Sequence, residues 1–240
     1  MEPVDGAASV RRARPVPSDL PELLRRRLDR PGASLLFDLD GTLIDSEPTS
    51  VAAFRACFAA RGWDIPEPYI VEHFIGRRAT EVFRELDGPW TGLDPAALAA
   101  ESLTYLDFEA IPPLALPGAT AALSAWKGRV PIAIVTSAPR WWAEQSLGIV
   151  GGAAPDLVVA ADSYERGKPH PDPFTTAGRL LDVDPARALA FDDAEPGVAS
   201  ARSAGVGLVV GVTTHLDGPV LEAAGAHATA PDMGVLSARV

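Results

Sequence analysis

Ser34-Leu-Leu-Phe-Asp38-Leu-Asp40-Gly-Thr42-Leu-Ile-Asp45 is a short apolar run that stops at a carboxylate, with a second carboxylate two positions on. An apolar run of this length bounded by Asp and Gly reads as a buried strand entering a loop. In an open parallel sheet, ligands bind outside the carboxyl ends of the strands. Asp38 and Asp40 therefore stand where chemistry is usually done. Carboxylates this close repel each other, and a cation or a shared proton has to relieve them, which is a first pointer to a metal. Taken alone, Asp-Leu-Asp-Gly also reads as a plain Asx-type turn, so the rest of the chain has to decide.

Downstream, the pattern turns helical from Pro48. Val51, Phe54, Ala56, Phe58 and Ala59 predict a helix ending near Gly62. Tyr69 to Ile75 forms a second apolar set that stops at Gly76. Arg78 to Leu86 predicts another helix, with Val82, Phe83 and Leu86 on its buried side. Asp94-Pro95 predicts the cap of a further helix running through Ala110. Nothing between about 47 and 112 reads as a strand. After Pro117-Gly118 the period alternates. Helices are expected over Ala119–Trp126, Pro139–Leu147, Pro173–Leu181 and Glu195–Ala204, and strands over Val130–Val135, Leu157–Ala160, Ala188–Phe191 and Gly207–Val212. Strands alternating with helices imply right-handed crossovers and a parallel sheet. The expectation is an α/β fold: a Rossmann-like parallel sheet core with an inserted all-helical cap placed over the carboxyl edge, a natural lid. Upstream, residues 1 to about 16 read as a loose tail. A short helix from Ser18, its possible cap, would turn Leu23, Leu24 and Leu28 to one side, with Arg25 to Arg27 on a solvated face. The expected division is 1–30 tail and short helix, 31–46 and 115–240 core, and 47–114 cap.

The chain has 240 residues, 47% of them hydrophobic and 22% charged, enough for a sizeable core. Its net charge of −11 argues against nucleic acid or an anionic membrane as partner, while leaving room for an anionic small substrate in a locally positive pocket. Cys57 is the single cysteine, so no internal disulfide is possible and a reducing compartment fits. No run of ~18 apolar residues spans a bilayer, and the opening Met-Glu-Pro-Val-Asp has no apolar signal core. A cytoplasmic location is expected. Among 21 basic residues only Lys127 and Lys168 are lysines. Where arginine fills the generic positive positions, a retained lysine suggests a need for a compact point charge.

Polar groups follow the strands and crossovers at Asp38 and Asp40, Thr136 and Ser137, Lys168, and Asp192 and Asp193. A parallel sheet gathers such positions along one edge. Four carboxylates with one lysine make an oxygen-rich site that suits Mg²⁺, and no His/Cys spacing for zinc occurs. A carboxylate can attack phosphorus to form an aspartyl-phosphate. The attacker needs a metal and a cation. The phosphoryl oxygens need a hydroxyl, backbone amides and a lysine. The leaving alcohol needs a proton from a second acid, which then activates water. Asp38 and Asp40 can divide those tasks from one loop.

At this point the chain resembles the haloacid-dehalogenase-like hydrolases over roughly residues 33 to 230. Asp38-Leu-Asp40-Gly-Thr42 is similar to their first motif, Ile134-Val-Thr136-Ser137 to the second, Gly167-Lys168-Pro169 to the third, and Phe191-Asp192-Asp193-Ala-Glu-Pro-Gly197 to the fourth. The resemblance implies that Asp38 is the nucleophile and Asp40 the general acid/base, whose backbone carbonyl also helps bind Mg²⁺. It implies that Thr136 and the Ser137 amide hold phosphoryl oxygens, that Lys168 neutralises Asp38 and the phosphate, and that Asp193, with Asp192, completes the metal shell. Members close to this pattern often have Glu where Asp192 stands, which leaves direct or water-mediated metal contact open for Asp192. An acid at Asp40 favours phosphoryl chemistry over dehalogenation within the group. The cap resembles that of the subgroup containing beta-phosphoglucomutase, phosphoglycolate phosphatase and small sugar- or polyol-phosphate phosphatases. His73-Phe-Ile-Gly76-Arg77-Arg78, Gly167 to Phe174 and Val212-Thr-Thr-His215 are most similar to the glycerol-3-phosphatase and sugar-phosphatase members.

The expected activity is Mg²⁺-dependent hydrolysis of a small phosphorylated sugar or polyol. The alternatives are a phosphomutase and a phosphoglycolate phosphatase. A mutase must hold a second phosphate in the cap, which offers Arg77, Arg78 and Arg84 but no lysine. A non-catalytic sugar-phosphate-binding regulator would carry a broken motif, and all four are intact. Arg77 or Arg78 either reaches substrate or lies on the surface, with Arg78 the named candidate. Glu47 either touches substrate or is a hinge-side acid, and Asp45 stabilises the turn after the loop. His215 stands at a strand end near the pocket edge, and His170 reads as solvent-facing. Trp141 and Trp142 begin a helix and read as core packing or a partner contact. Cys57 reads as a buried helical residue.

Overall fold

The computed structural model describes residues 19–237. Ser34–Phe37 forms β1, every residue of it buried, and β1 lies inside a six-stranded sheet of order β5-β4-β1-β6-β7-β8. The other strands are β4 (Ile132–Val135), β5 (Leu157–Val159), β6 (Ala188–Asp192), β7 (Leu208–Val212) and β8 (Ala228–Ala230). All five pairings are parallel. A parallel sheet needs cover on both faces, so its inner strands are apolar on both sides. Side chains alternate between two layers accordingly. Leu35, Phe37, Ile132, Ile134, Leu189 and Phe191 face α1 (Leu20–Leu28), α6 (Ala119–Trp126) and α7 (Arg140–Val150). Leu36, Ala133, Val135, Ala190 and Val209 face α8 (Asp172–Leu181), α9 (Glu195–Ser203) and α10 (Gly218–Ala223). Phe37 and Phe191 stack across β1 and β6 with ring centroids 5.3 Å apart.

From β1 the chain builds outward through β4 and β5, then returns to add β6, β7 and β8 on the other side. The order therefore reverses at β1, the switch point at which such sheets form a ligand crevice.

Of the five helices between β1 and β4, the first four form a separate layer: α2 (Glu47–Ala60), α3 (Glu67–Phe74), α4 (Ala79–Glu85) and α5 (Pro95–Leu103). Their own core is aromatic. Phe58, Phe74, Phe83 and Trp90 meet pairwise at 5.1–6.2 Å, and the buried indole N–H of Trp90 donates to the Leu86 carbonyl at 2.8 Å. The chain leaves for this layer and returns through a two-stranded antiparallel ribbon, β2 (Ile44–Asp45) with β3 (Leu114–Ala115).

Most elements fall where the sequence places them, with instructive exceptions. The helix expected through Ala110 ends at Leu103. Beyond it the Thr104 hydroxyl donates to the Glu101 carbonyl, and the Asp107 side chain accepts from the Glu109 and Ala110 amides. Those local bonds offer the backbone an alternative to further helix. The ribbon, α10 and β8 carry no signal strong enough to predict; the ribbon strands are two residues each. In α1 the buried leucines are Leu20, Leu24 and Leu28, with Leu23 only packed alongside. Ser18 and the tail lie outside the described residues, and Asp19 stands at the N-cap. Cys57 is fully buried in α2. Among the described residues no helix is long and apolar enough to cross a membrane.

Candidate active site

The register of β1 and β6 assembles the site. Phe37 pairs with Phe191, and the Asp38 amide donates to the Phe191 carbonyl at 2.8 Å, so Asp38 leaves the sheet beside Asp192 and Asp193. Close backbone approach needs two glycines here. Gly41 has φ +81°, and a Cβ on it would lie 2.0 Å from an Asp193 oxygen; a Cβ on Gly197 would lie equally close to the Asp192 carboxylate. The Thr42 hydroxyl donates to Asp193 Oδ1 at 3.1 Å.

Lys168 enters from the loop between β5 and α8 and is 2% exposed. Its ammonium bonds to Asp38 Oδ1 and, at 2.7 Å, to Asp192 Oδ2, and lies 5.4 Å from the Phe174 ring centroid. Burial alone would lower its pKa; Asp192 and Asp38 override that and hold the lysine charged, above its ordinary range. Asp38, Asp192 and Asp193 are all buried, each with an oxygen within 4.8 Å of the others'. Three carboxylates against one ammonium leave a formal charge of −2 in a desolvated place. Burial, and then mutual repulsion, push the Asp38 and Asp193 carboxyls well above the usual range, against the pull of Lys168. This oxygen-only donor set with two uncompensated charges fits a hard divalent cation.

Asp40 points elsewhere. Its Oδ1 accepts from the Ser46 hydroxyl at 2.5 Å and the Trp142 indole at 2.8 Å, and its Oδ2 accepts a longer bond from the Thr136 hydroxyl at 3.4 Å. Burial raises its pKa, and the bonds from Ser46 and Trp142 pull it back. Its carboxylate stands outside the three-acid cluster; the resemblance assigned the metal contact of Asp40 to its backbone carbonyl. Thr136 follows β4, is buried, and its hydroxyl accepts from the Ala138 amide at 3.0 Å. Ser137 Oγ beside it is buried without a partner.

A cavity of about 660 Å³ opens over these groups, lined by Asp38, Asp40, Thr136, Ser137 and Asp193 below and by residues of α2 to α5 above. Glu47 and His215 stand on its wall, the His215 Nδ1 3.3 Å from the Glu47 carboxylate and its Nε2 3.9 Å from Asp45. Burial raises the Glu47 pKa, partly offset by His215. Arg77 pairs with Glu85 at 2.5 Å. Arg78 lines the cavity, yet its two terminal nitrogens bond to the carbonyls of Ala161, Tyr164 and Glu165 and to Glu81, and its guanidinium lies 4.5 Å from the Tyr164 ring centroid. That arginine clasps α4 to the loop that carries Lys168, a use that sequence reasoning did not foresee. Glu81 completes the clasp by accepting the Gly167 amide at 2.7 Å in a buried bond. The His170 side chain is exposed. The tryptophans divide: Trp142 is buried against Asp40, and Trp141 is 45% exposed at the cavity.

Sequence reasoning thus missed Ser46, Glu81, Tyr164 and the indole of Trp142. Only Ser46 carried a usable signal, its closeness to the aspartate loop.

Comparison with known proteins gives the same picture. A model of haloacid dehalogenase-like hydrolases matches residues 34–205. The chain is 36% identical over 190 residues to a validoxylamine A 7'-phosphate phosphatase of Streptomyces hygroscopicus subsp. limoneus, covering 78% of this chain and 88% of that protein. It is 33% identical over 183 residues to a fructose-1-phosphate phosphatase of Escherichia coli, covering 74% of this chain and 95% of that one. Among solved structures, a hydrolase from Pseudomonas syringae superposes with a TM-score of 0.72 at 26% identity, over 83% of this chain and 93% of that one.

Proposed function

The chain belongs to the haloacid dehalogenase-like hydrolases, and from that membership we propose that it is a Mg²⁺-dependent phosphatase that hydrolyses a small phosphorylated sugar or polyol in the cytoplasm. The observation that carries the reading is the buried Asp38 carboxylate, held by Lys168 at the floor of a cavity in which a second acid of the same loop, Asp40, sits on separate hydrogen bonds. The names of the relatives, phosphatases of phosphorylated sugar-like compounds, support it. We take residues 47–114 as the cap over a core of 31–46 and 115–240.

In this reading an Asp38 oxygen attacks phosphorus and the bond from phosphorus to the leaving oxygen breaks. Asp40 gives that oxygen its proton. Asp40, now a carboxylate, takes a proton from water; the water oxygen bonds to phosphorus, the bond to Asp38 breaks, and inorganic phosphate leaves. Thr136, the Ser137 amide and Lys168 hold the phosphoryl oxygens throughout. Asp38, Asp192, Asp193 and the Asp40 carbonyl would hold Mg²⁺, which when bound supplies positive charge against the phosphate and the clustered acids. Glu47 and Arg78 are the cap-side candidates for substrate contact, Arg78 through its buried Nε, which the clasp leaves without a partner.

Hydrolysis is favoured over phosphomutase action by the cap cations. Arg77 is neutralised by Glu85, and Arg78 is committed to core carbonyls and Glu81, which leaves neither poised for a second phosphate. Phosphoglycolate is a two-carbon acid, and a cavity of about 660 Å³ suits a larger partner. The test is inorganic phosphate release from glucitol 6-phosphate, fructose 1-phosphate, glycerol 3-phosphate and p-nitrophenyl phosphate, with isomerised sugar phosphate measured alongside. Asp38→Asn or EDTA should abolish release. Full activity in Asp38→Asn with the metal chelated would sink the proposal.

A further inference from the structure

We propose that Trp142 is a positioning residue for Asp40, its indole N–H fixing which carboxylate oxygen can carry the proton; this rests on the reading of Asp40 as general acid. Indole is a donor only. An Asp40 oxygen that meets the Trp142 N–H at 2.8 Å is therefore locked as an acceptor, because a proton on it would confront the N–H. The Ser46 hydroxyl donates to the same Oδ1 at 2.5 Å. The proton that Asp40 carries is then confined to Oδ2, which accepts only a long 3.4 Å bond from the Thr136 hydroxyl, a rotor that can turn from donor to acceptor when Oδ2 is protonated, beside the phosphoryl pocket.

The donor is itself held. Trp142 stands in the first turn of α7 and is 4% exposed. Its ring stacks on Phe108 at 5.2 Å and 25°, and meets Trp141 edge-on at 6.0 Å. Phe108 belongs to the segment returning from α5 to β3, so the orientation of the acid depends on a contact between core helix and returning chain. Simple core packing would ask for a large apolar ring here, but it would not aim the ring's one polar atom at a catalytic carboxylate.

Trp142→Phe keeps a ring against Phe108 and deletes the N–H. The readout is kcat/KM, which reports the phosphoryl transfer to Asp38, on two leaving groups. Departure of an alkyl oxygen, from the best sugar or polyol phosphate of the panel above, needs protonation. Departure of p-nitrophenolate does not. A general acid contributes roughly 10²–10⁴-fold, so its misplacement should lower kcat/KM for the alkyl phosphate by about ten-fold or more, while the value for p-nitrophenyl phosphate stays within about twofold. Equal losses on both substrates, or no loss on either, overturn the proposal. Asp40→Asn run in parallel separates the premise from the inference. If Asp40→Asn shows no leaving-group selectivity, the general-acid reading fails. If it shows selectivity and Trp142→Phe does not, only the role of Trp142 fails. Should Trp142→Phe not fold, Phe108→Leu carries the test, with the same selective loss expected and an unselective or absent loss overturning the idea.

Discussion

Replacing Glu81 with alanine removes the carboxylate that links α4 to the loop of Lys168. Glu81 is buried, accepts the Gly167 amide at 2.7 Å, and pairs with Arg78 at 3.2 Å. A hydrogen bond to a charged group contributes about 1.5–3 kcal/mol, and here its loss also orphans a buried N–H. If the bond forms only when α4 is docked, its loss lowers the ratio of docked to undocked α4 by roughly 10–150-fold, at 1.4 kcal/mol per factor of ten, and the docked population falls nearly as far where the two arrangements are otherwise close in energy. Steady-state kinetics on a sugar or polyol phosphate, well below the melting temperature, should then show kcat/KM reduced about five-fold or more. Glu81→Gln keeps an acceptor oxygen and should retain most activity. Gly167→Ala should mimic Glu81→Ala, because its Cβ would lie 2.7 Å from a Glu81 oxygen. A thermal midpoint is measured in parallel, where each kcal/mol is worth about 2–4 °C in a chain of this size. A lowered midpoint with kcat/KM within twofold of the parent would refute the reasoning, since Glu81 would then support only the local fold.

Two further outcomes follow from the acid cluster. Lys168→Met leaves Asp38, Asp192 and Asp193 facing one another without an ammonium, an uncompensated buried charge costing about 3–5 kcal/mol; phosphate release should be abolished even at saturating Mg²⁺, and substantial turnover by this variant would contradict the role given to Lys168. Asp38 and Asp193 are held well above the ordinary carboxylate range. Folded metal-free protein therefore binds more protons than unfolded chain between the unfolded carboxylate pKa near ~4 and the raised folded values, and its stability falls as pH rises through that window. Mg²⁺ replaces those protons, so the rise in melting midpoint on adding Mg²⁺ should be larger at pH 8 than at pH 5. At a concentration of about 100 Kd the stabilisation is about 2.7 kcal/mol, and a larger rise at pH 5 would contradict the assignment of these acids to the metal.

The sequence alone determined the sheet, the helical insertion and the polar positions at the strand ends. Each is written in local chemistry: an apolar run such as Leu35 to Phe37 can satisfy its backbone and bury its side chains only inside a sheet, and a carboxylate directly after it must emerge at the edge. Where such runs share one parallel sheet, convergence of Asp38, Thr136 and Asp192 follows from register. Tertiary structure decided what local pattern cannot encode. Trp142 meets Asp40 across 102 positions, Glu81 meets Gly167 across 86, and Arg78 meets Ala161 across 83. A tryptophan beginning an amphipathic helix looks the same in sequence whether its N–H finds a carbonyl or a buried carboxylate. Likewise an arginine after a glycine looks the same whether it grips a substrate or a neighbouring loop. The partner is chosen by how helices pack onto the sheet, a balance of burial and hydrogen-bond satisfaction summed over the whole chain.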